Sequence, residues 1–248
     1  MKKFLRSAIY PIEEEKKNVP WQLPKTWCFY NPNTRQWRTY HGRLSLALDL
    51  AGNLRGKRIL DAGCGDGRLS AECIKKGAEV IGIDNNASAI LFAKIFVPKG
   101  KFQIGSLLSL PYKEQFFDNI FCIETFEHIP PTQSSRAVQE LFRVLKRGGH
   151  LVLSVPSLNL TLAERPRHYR HFTPSLIEEI FSPHFSIEKF CGQEKKTWFV
   201  DFISDIYENS LWQILPLMNF FNCKVFIKYW NNTSIDTAAH ILAILRRQ

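Results

Sequence analysis

Residues 59–67 read Ile-Leu-Asp-Ala-Gly-Cys-Gly-Asp-Gly, an apolar run entering a turn with glycine at 63, 65 and 67, and Asp84 closes a second apolar run 17 residues after Gly67. Glycines let the backbone approach a ligand closely, and the N-terminus of the helix after such a turn favours polar or negative groups. A carboxylate ending the next strand can accept from both hydroxyls of a ribose, so the spacing describes a nucleotide-sized site. A dinucleotide fingerprint needs G-x-G-x-x-G. Three residues after Gly65 stands Arg68, which disfavours a pyrophosphate clamp. A second cluster, Glu124-Thr125-Phe126-Glu127-His128, brings two carboxylates and an imidazole within five residues. That mixed oxygen and nitrogen set suits a divalent cation, most naturally magnesium, manganese or zinc. His128 is equally a candidate general base.

The hydrophobic pattern gives the elements that must position these groups. Strands are expected near 57–62, 78–84, 101–104, 117–123 and 148–155, alternating with helices near 67–76, 87–96 and 133–146 and preceded by a helix at about 35–50. In the helix at 133–146, Ala137, Val138, Leu141, Phe142 and Leu145 recur at helical spacing, and Lys146-Arg147-Gly148-Gly149 reads as a basic last turn with a glycine stop. Thr173-Pro174 offers an N-cap and a proline at the first helical position, opening a helix to about Phe181. Strands near 185–191 and 238–245 complete the pattern. Such alternation implies a parallel α/β sheet covered on both faces. Both clusters then fall on its carboxyl edge, where such sheets bind ligands. The expected organisation is an arm with a cap helix at 1–50 and a ligand-binding domain at 51–248, with an aromatic-rich insertion at 193–237.

At 248 residues the chain suits one α/β domain with additions. A net charge of +10 and a pI near 9.4 permit attraction to nucleic acid, anionic lipid or an acidic substrate. No Lys/Arg run exceeds two residues, which reads as a dispersed, solvated basic surface rather than a dedicated nucleic-acid face. Six cysteines without a C-x-x-C read as reduced thiols of a cytoplasmic protein. Met-Lys-Lys-Phe-Leu-Arg begins like a signal peptide, but Arg6, Pro11 and Glu13 to Glu15 interrupt any apolar core. The most apolar C-terminal stretch, Leu211 to Phe221, is 11 residues long, short of the ~20 that a spanning helix needs. No transmembrane segment is expected.

The glycine turn with Asp84 resembles motif I and the ribose-binding acid of class I S-adenosylmethionine (SAM) methyltransferases. Leu110-Pro111-Tyr112, Phe117-Asp118-Asn119-Ile120, Glu127-His128-Ile129 and the stretch from Glu140 to Leu151 follow in the order seen in many small-molecule members. The resemblance covers about residues 36–191, and the ubiquinone-biosynthesis O-methyltransferases are the pattern it matches best. It implies a Rossmann-like, seven-stranded, mostly parallel sheet with helices on both faces, and SAM as the cofactor. It would put the cofactor carboxylate near Arg43, the methionine against Gly63 and Gly65, the ribose on Asp84, and further contacts at Asp61, Asn85 and Ile123. In the family the turn after strand three usually reads Gly-Asp and binds the adenine amino group. Gly105-Ser106 stands there instead, an uncharged substitute. Glu124, Glu127 and His128 resemble the E-x-x-E-H metal motif of those enzymes and of small-RNA 2′-O-methyltransferases, which take a further histidine from the segment after strand five; His168 fits that place, followed by Phe172 and Pro174. His128 or His168 acting as a general base without metal is the alternative.

The additions outside the core would shape the acceptor site. Trp21, Trp27, Phe29, Tyr30 and Trp37 in the arm, and the insertion at 193–237, are aromatic. These side chains either pack between cap and sheet or line an apolar pocket or a lip touching membrane, with Leu211 to Phe221 as an interfacial helix. The expected acceptor is a small, partly apolar hydroxylated metabolite or a lipid-linked one. RNA is the rival acceptor, and a non-catalytic SAM-binding subunit the rival class. Against base methylation, the N-P-P-Y type tetrad is absent: Ile123-Glu124-Thr125-Phe126 stands in its place.

Overall fold

The computed structural model describes residues 24, 26–27, 35–160, 168–195, 231 and 233–248. Helix α1 (Arg35–Ala51) precedes β1 (Arg58–Ala62), α2 (Arg68–Lys75), β2 (Glu79–Asp84), α3 (Ala87–Phe96), β3 (Lys101–Ile104) and β4 (Phe117–Ile123). A 3-10 turn at Phe126–His128 follows, then α4 (Ser134–Val144), β5 (Leu145–Pro156), α5 (Pro174–Phe181), β6 (Phe185–Lys195) and β7 (Ala238–Arg247). The strands form one seven-stranded sheet in the order β3-β2-β1-β4-β5-β7-β6. β7 runs antiparallel to both its neighbours; the other pairs are parallel. This is the mostly parallel sheet the sequence implied.

Successive residues of the central strands explain why helices cover both faces. Leu60, Ile120, Leu151 and Leu153 are buried in a cluster with α4 and α5, whereas Ile59, Phe121 and Val152 are buried in a cluster with α1 and α2. Strands with two apolar faces must be sandwiched. Asn86 caps α3 by accepting from the Ala89 N–H (3.0 Å), and Thr173 caps α5 by accepting from the Leu176 N–H (3.2 Å), with Pro174 following as expected. The strand order reverses between β1 and β4, and that switch point opens a crevice at their carboxyl ends.

Two boundaries differ from expectation. Helix α4 stops at Val144, and Lys146-Arg147-Gly148-Gly149 lies inside β5 rather than ending the helix. The β4–β5 register jumps from Phe117↔Leu145 to Asn119↔His150, and Gly148, at φ +70°, takes up the bend. A bulged strand and a helix stop make the same demand of glycine. Lys146 meanwhile bonds to Asp118 (2.5 Å), fixing the bulge to β4. Strand β6 reaches Lys195, so the insertion expected at 193–237 begins within the sheet; Leu211 to Phe221, and Trp21, Phe29 and Tyr30 of the arm, lie outside the described residues. Among the described residues no helix is long and apolar enough to cross a membrane, and the four cysteines are free thiols.

Phe181 is fully buried, with its ring centroid 5.0 Å from Phe126 and 6.1 Å from Phe185. Phe181→Ala is expected to lower stability by about 3–5 kcal/mol in urea unfolding. A loss under 1 kcal/mol would mean that the site collapses around the missing ring.

Candidate active site

The glycine turn is spliced onto the end of β2. The N–H groups of Gly63 and Cys64 both donate to the Ile83 carbonyl (2.8 and 3.0 Å). Gly63 sits at φ +83°, and a Cβ there would lie 2.2 Å from Thr125 side-chain atoms, so the Thr125 side chain after β4 packs on the turn after β1 only because position 63 has no side chain. Asp84 fixes the turn from below: Oδ2 accepts from the Gly65 N–H and Oδ1 from the Asn86 N–H, both at 2.9 Å. Burial raises its pKa, against those amide bonds. A carboxylate has about four acceptor sites, so Asp84 can still take ribose hydroxyls. Asn85 beside it is exposed, as is Ser106, whose Oγ accepts from the Leu108 N–H (3.2 Å). Ile123 ends β4 half-buried, its carbonyl accepting from the Thr125 hydroxyl (3.0 Å).

Asp61 is placed under the turn. It is 3% exposed and accepts from the Ser70 hydroxyl (2.6 Å), tying β1 to the first turn of α2. Burial first, opposed by Ser70 and assisted by the Asp84 charge, pushes its pKa up to about 7. Its bond in the structure is thus to the scaffold of the cofactor turn. Asp66, which the sequence reading passed over, is 1% exposed and accepts from the N–H (2.7 Å) and hydroxyl of Thr26, while its carbonyl accepts from Trp27 Nε1 (2.8 Å). Trp27 stacks on Phe96 (5.2 Å) with the Arg68 guanidinium over its ring (4.8 Å). Two residues of the arm are therefore seated on the glycine turn. Trp27 was the only sequence signal for this.

Arg43 is buried on α1 and directed at the β4 edge. Its guanidinium lies 3.3 Å from Glu124 Oε2 and 2.8 Å from His240 Nε2. His240 bridges Glu124 (3.2 Å) and Glu194 (3.5 Å). Ser154 also donates to Glu124 Oε1 (2.6 Å). Burial alone would raise the Glu124 pKa, but Arg43 and then His240 hold it well below the usual carboxylate range. Burial and Arg43 push His240 down, and Glu124 and Glu194 more than reverse this, so its pKa rises. A cofactor carboxylate approaching Arg43 would have to join or displace Glu124. His240 and Glu194, from the last two strands of the sheet, had no sequence signal.

Glu124 consequently stands apart from the expected metal set. Glu127, His128 and His168 do come together, each offering one ligand atom within 4.8 Å of the others. Glu127 is fully buried, and neither carboxylate oxygen has a hydrogen-bond partner. Burial, then the neighbouring Glu124 charge, raises its pKa well above the usual range. His128 Nε2 is 4.0 Å from Glu127 Oε1, and the His128 and His168 rings are 5.0 Å apart. The Tyr169 N–H donates to the Glu127 carbonyl (2.9 Å), holding the His168 segment on the 3-10 turn. Burial, then His128, pushes His168 down to about 3. A buried carboxylate without a partner beside two imidazoles is costly. A divalent cation fits it, with an oxygen and nitrogen donor set.

Residues 60–153 match the family described as a methyltransferase domain. Over those residues the chain carries a methyltransferase domain. Curated relatives named ubiquinone biosynthesis O-methyltransferase include that of Alkalilimnicola ehrlichii, 33% identical over 132 residues (51% of this chain, 50% of the relative). That of Acinetobacter baumannii is 31% identical over 134 residues (51% and 53%). The chain spans about half the length of the curated relatives it matches. An S-adenosylmethionine-dependent methyltransferase from Mesorhizobium loti shares the fold at TM-score 0.61 and 15% identity, over 83% of this chain and 98% of that one. A TehB-like SAM-dependent methyltransferase from Corynebacterium glutamicum does so at 0.57 and 18%, over 86% and 95%. The sheet order and both-face helices of the methyltransferase domain are those of this fold.

Two outcomes follow for the turn. Asp84→Ala should weaken S-adenosylhomocysteine binding roughly 100-fold, the scale of two charge-assisted hydrogen bonds; calorimetric titration of both proteins checks it, and equal affinities would remove Asp84 from the cofactor site. For Asp61 the folded pKa of about 7 exceeds the ordinary 3.8. The linked stability is fully present below about pH 4 and is lost, at about 1.4 kcal/mol per pH unit, as pH rises towards 7. Asp61→Asn should therefore gain on the native protein between pH 5 and pH 8 in urea unfolding. A constant difference would show Asp61 ionised throughout.

Proposed function

We propose that the chain is a SAM-dependent O-methyltransferase whose acceptor is a small, partly apolar hydroxylated metabolite, free or lipid-linked, deprotonated at a divalent cation site. The observation that carries this reading is the unpartnered, fully buried Glu127 carboxylate grouped with His128 and His168. The group follows β4, whose end touches the cofactor turn through Thr125 and Gly63. Support for the acceptor class comes from the printed name of the curated relatives. Peripheral contact with a lipid surface, through the aromatic insertion, belongs to the same reading and is supported by its composition.

Methyl transfer from a sulfonium asks little of a protein beyond positioning and deprotonation, because the leaving group is already activated. Gly63 and Gly65 would seat the methionine part of the cofactor, and Asp84 its ribose. Glu127, His128 and His168 would hold the cation. A magnesium, manganese or zinc ion there would supply Lewis acidity, lowering the pKa of the acceptor hydroxyl so that its oxygen is the nucleophile. His168 is neutral at physiological pH, which leaves one lone pair for a ligand role but makes it a weak base. This favours the cation over His168 acting alone.

Turnover of hydroxylated lipids, quinol precursors and RNA, assayed with labelled SAM, is expected for the first two classes. It should fall at least tenfold with a chelator and recover on adding cation. Indifference to chelator sinks the cation reading, turnover of RNA alone favours the rival acceptor, and cofactor binding without turnover on any acceptor favours a non-catalytic subunit.

A further inference from the structure

Behind the Glu127, His128 and His168 group lies a third imidazole with no role in the chemistry above. His168 Nδ1 is 3.0 Å from His171 Nε2. A hydrogen bond between two neutral imidazoles needs hydrogen on one of the two nitrogens and a lone pair on the other. Only two arrangements satisfy this. His168 may carry its hydrogen on Nδ1 and donate, which leaves a lone pair on its Nε2. Alternatively His171 donates, and His168 Nε2 then bears hydrogen and can bind neither a cation nor a proton.

Resting on the cation reading, we propose that His171 is a positioning residue that holds the His168 hydrogen on Nδ1 and so keeps Nε2 as a ligand nitrogen. The fold fixes His171 first. It is fully buried, between Arg170, which donates to the Ser134 hydroxyl, and Phe172, whose N–H donates to the Pro156 carbonyl (2.9 Å). Phe172 is itself fully buried in the core cluster with Phe126 and Phe181. His168 is only half-buried. The better-anchored ring therefore orients the freer one, as outer partners of metal-ligating histidines do. A donating His168 Nε2 would seek the nearby Glu127 carboxylate, yet neither oxygen of Glu127 has a hydrogen-bond partner.

The test uses the full chain labelled with 15N-histidine. Long-range proton–nitrogen correlation spectra report which nitrogen of His168 bears hydrogen, its signals being identified by their loss in His168→Gln. Hydrogen on Nδ1 is expected before any metal is added, with Nε2 shifting when zinc is titrated in. In competition with a chromophoric chelator, His171→Phe should weaken zinc binding about 10- to 100-fold. His171→Gln, whose amide oxygen can replace the lost acceptor, should stay within about threefold of the native protein. Thermal melts show whether each variant is folded, and the native protein's spectrum decides the tautomer whether or not they are. Hydrogen on Nε2 of His168, or an unchanged zinc affinity in folded His171→Phe, overturns the inference. A native protein that binds no zinc overturns the cation reading instead, and the metal-free tautomer still decides what His171 does.

Discussion

The carboxylate of Asp84 is the point on which the rest of the structure depends. Each of its oxygens is bonded to a backbone N–H, one in the turn after β1 and one at the start of α3. With Ile83 accepting from Gly63 and Cys64, these bonds fix the distance between two strand ends that no side-chain packing could set as closely. A carboxylate half withdrawn from water is stabilised by such amides. The result is a turn whose backbone is held from both sides by strand β2.

Across the crevice, two glutamates of the same type three residues apart are treated in opposite ways. Glu124 is compensated by Arg43, His240 and Ser154; Glu127 has no hydrogen-bond partner and suffers both burial and its neighbour's charge. The backbone helps to separate them. Glu124 adopts φ +51°, an uncommon conformation for a residue with a side chain, and the chain then enters the 3-10 turn that turns Glu127 inward. One carboxylate is tied into the frame and the other is left buried without a hydrogen-bond partner.

Much of this was legible in the sequence because it is local. The turn at 63–67, the cap at Thr173 and the alternating strands are set by residues close together in the chain, and the structure reproduces them. The glycines at 148 and 149 misled, because only pairing with β4 tells a bulge from a helix stop. Glu124 misled for a similar reason, since nothing near it in sequence announces Arg43 or His240. His171, Glu194 and Asp66 owe their positions to strands and loops far along the chain. Tertiary partners, not composition, divided these look-alike residues between scaffold and site.

Arg43 and His240 are 197 positions apart, and β7, which supplies His240, fills the gap between β5 and β6. As the chain leaves the ribosome, the glycine turn and Asp84 can meet early, but Arg43 and Glu124 cannot meet His240 until the strand that carries it has emerged. A nascent chain halted before β7 would leave the sheet open between β5 and β6 and a charged pair exposed at its ligand edge. The turn after β1 and the charged cluster at the end of β4 would therefore be completed at different moments of synthesis, the second only once β7 has closed the sheet.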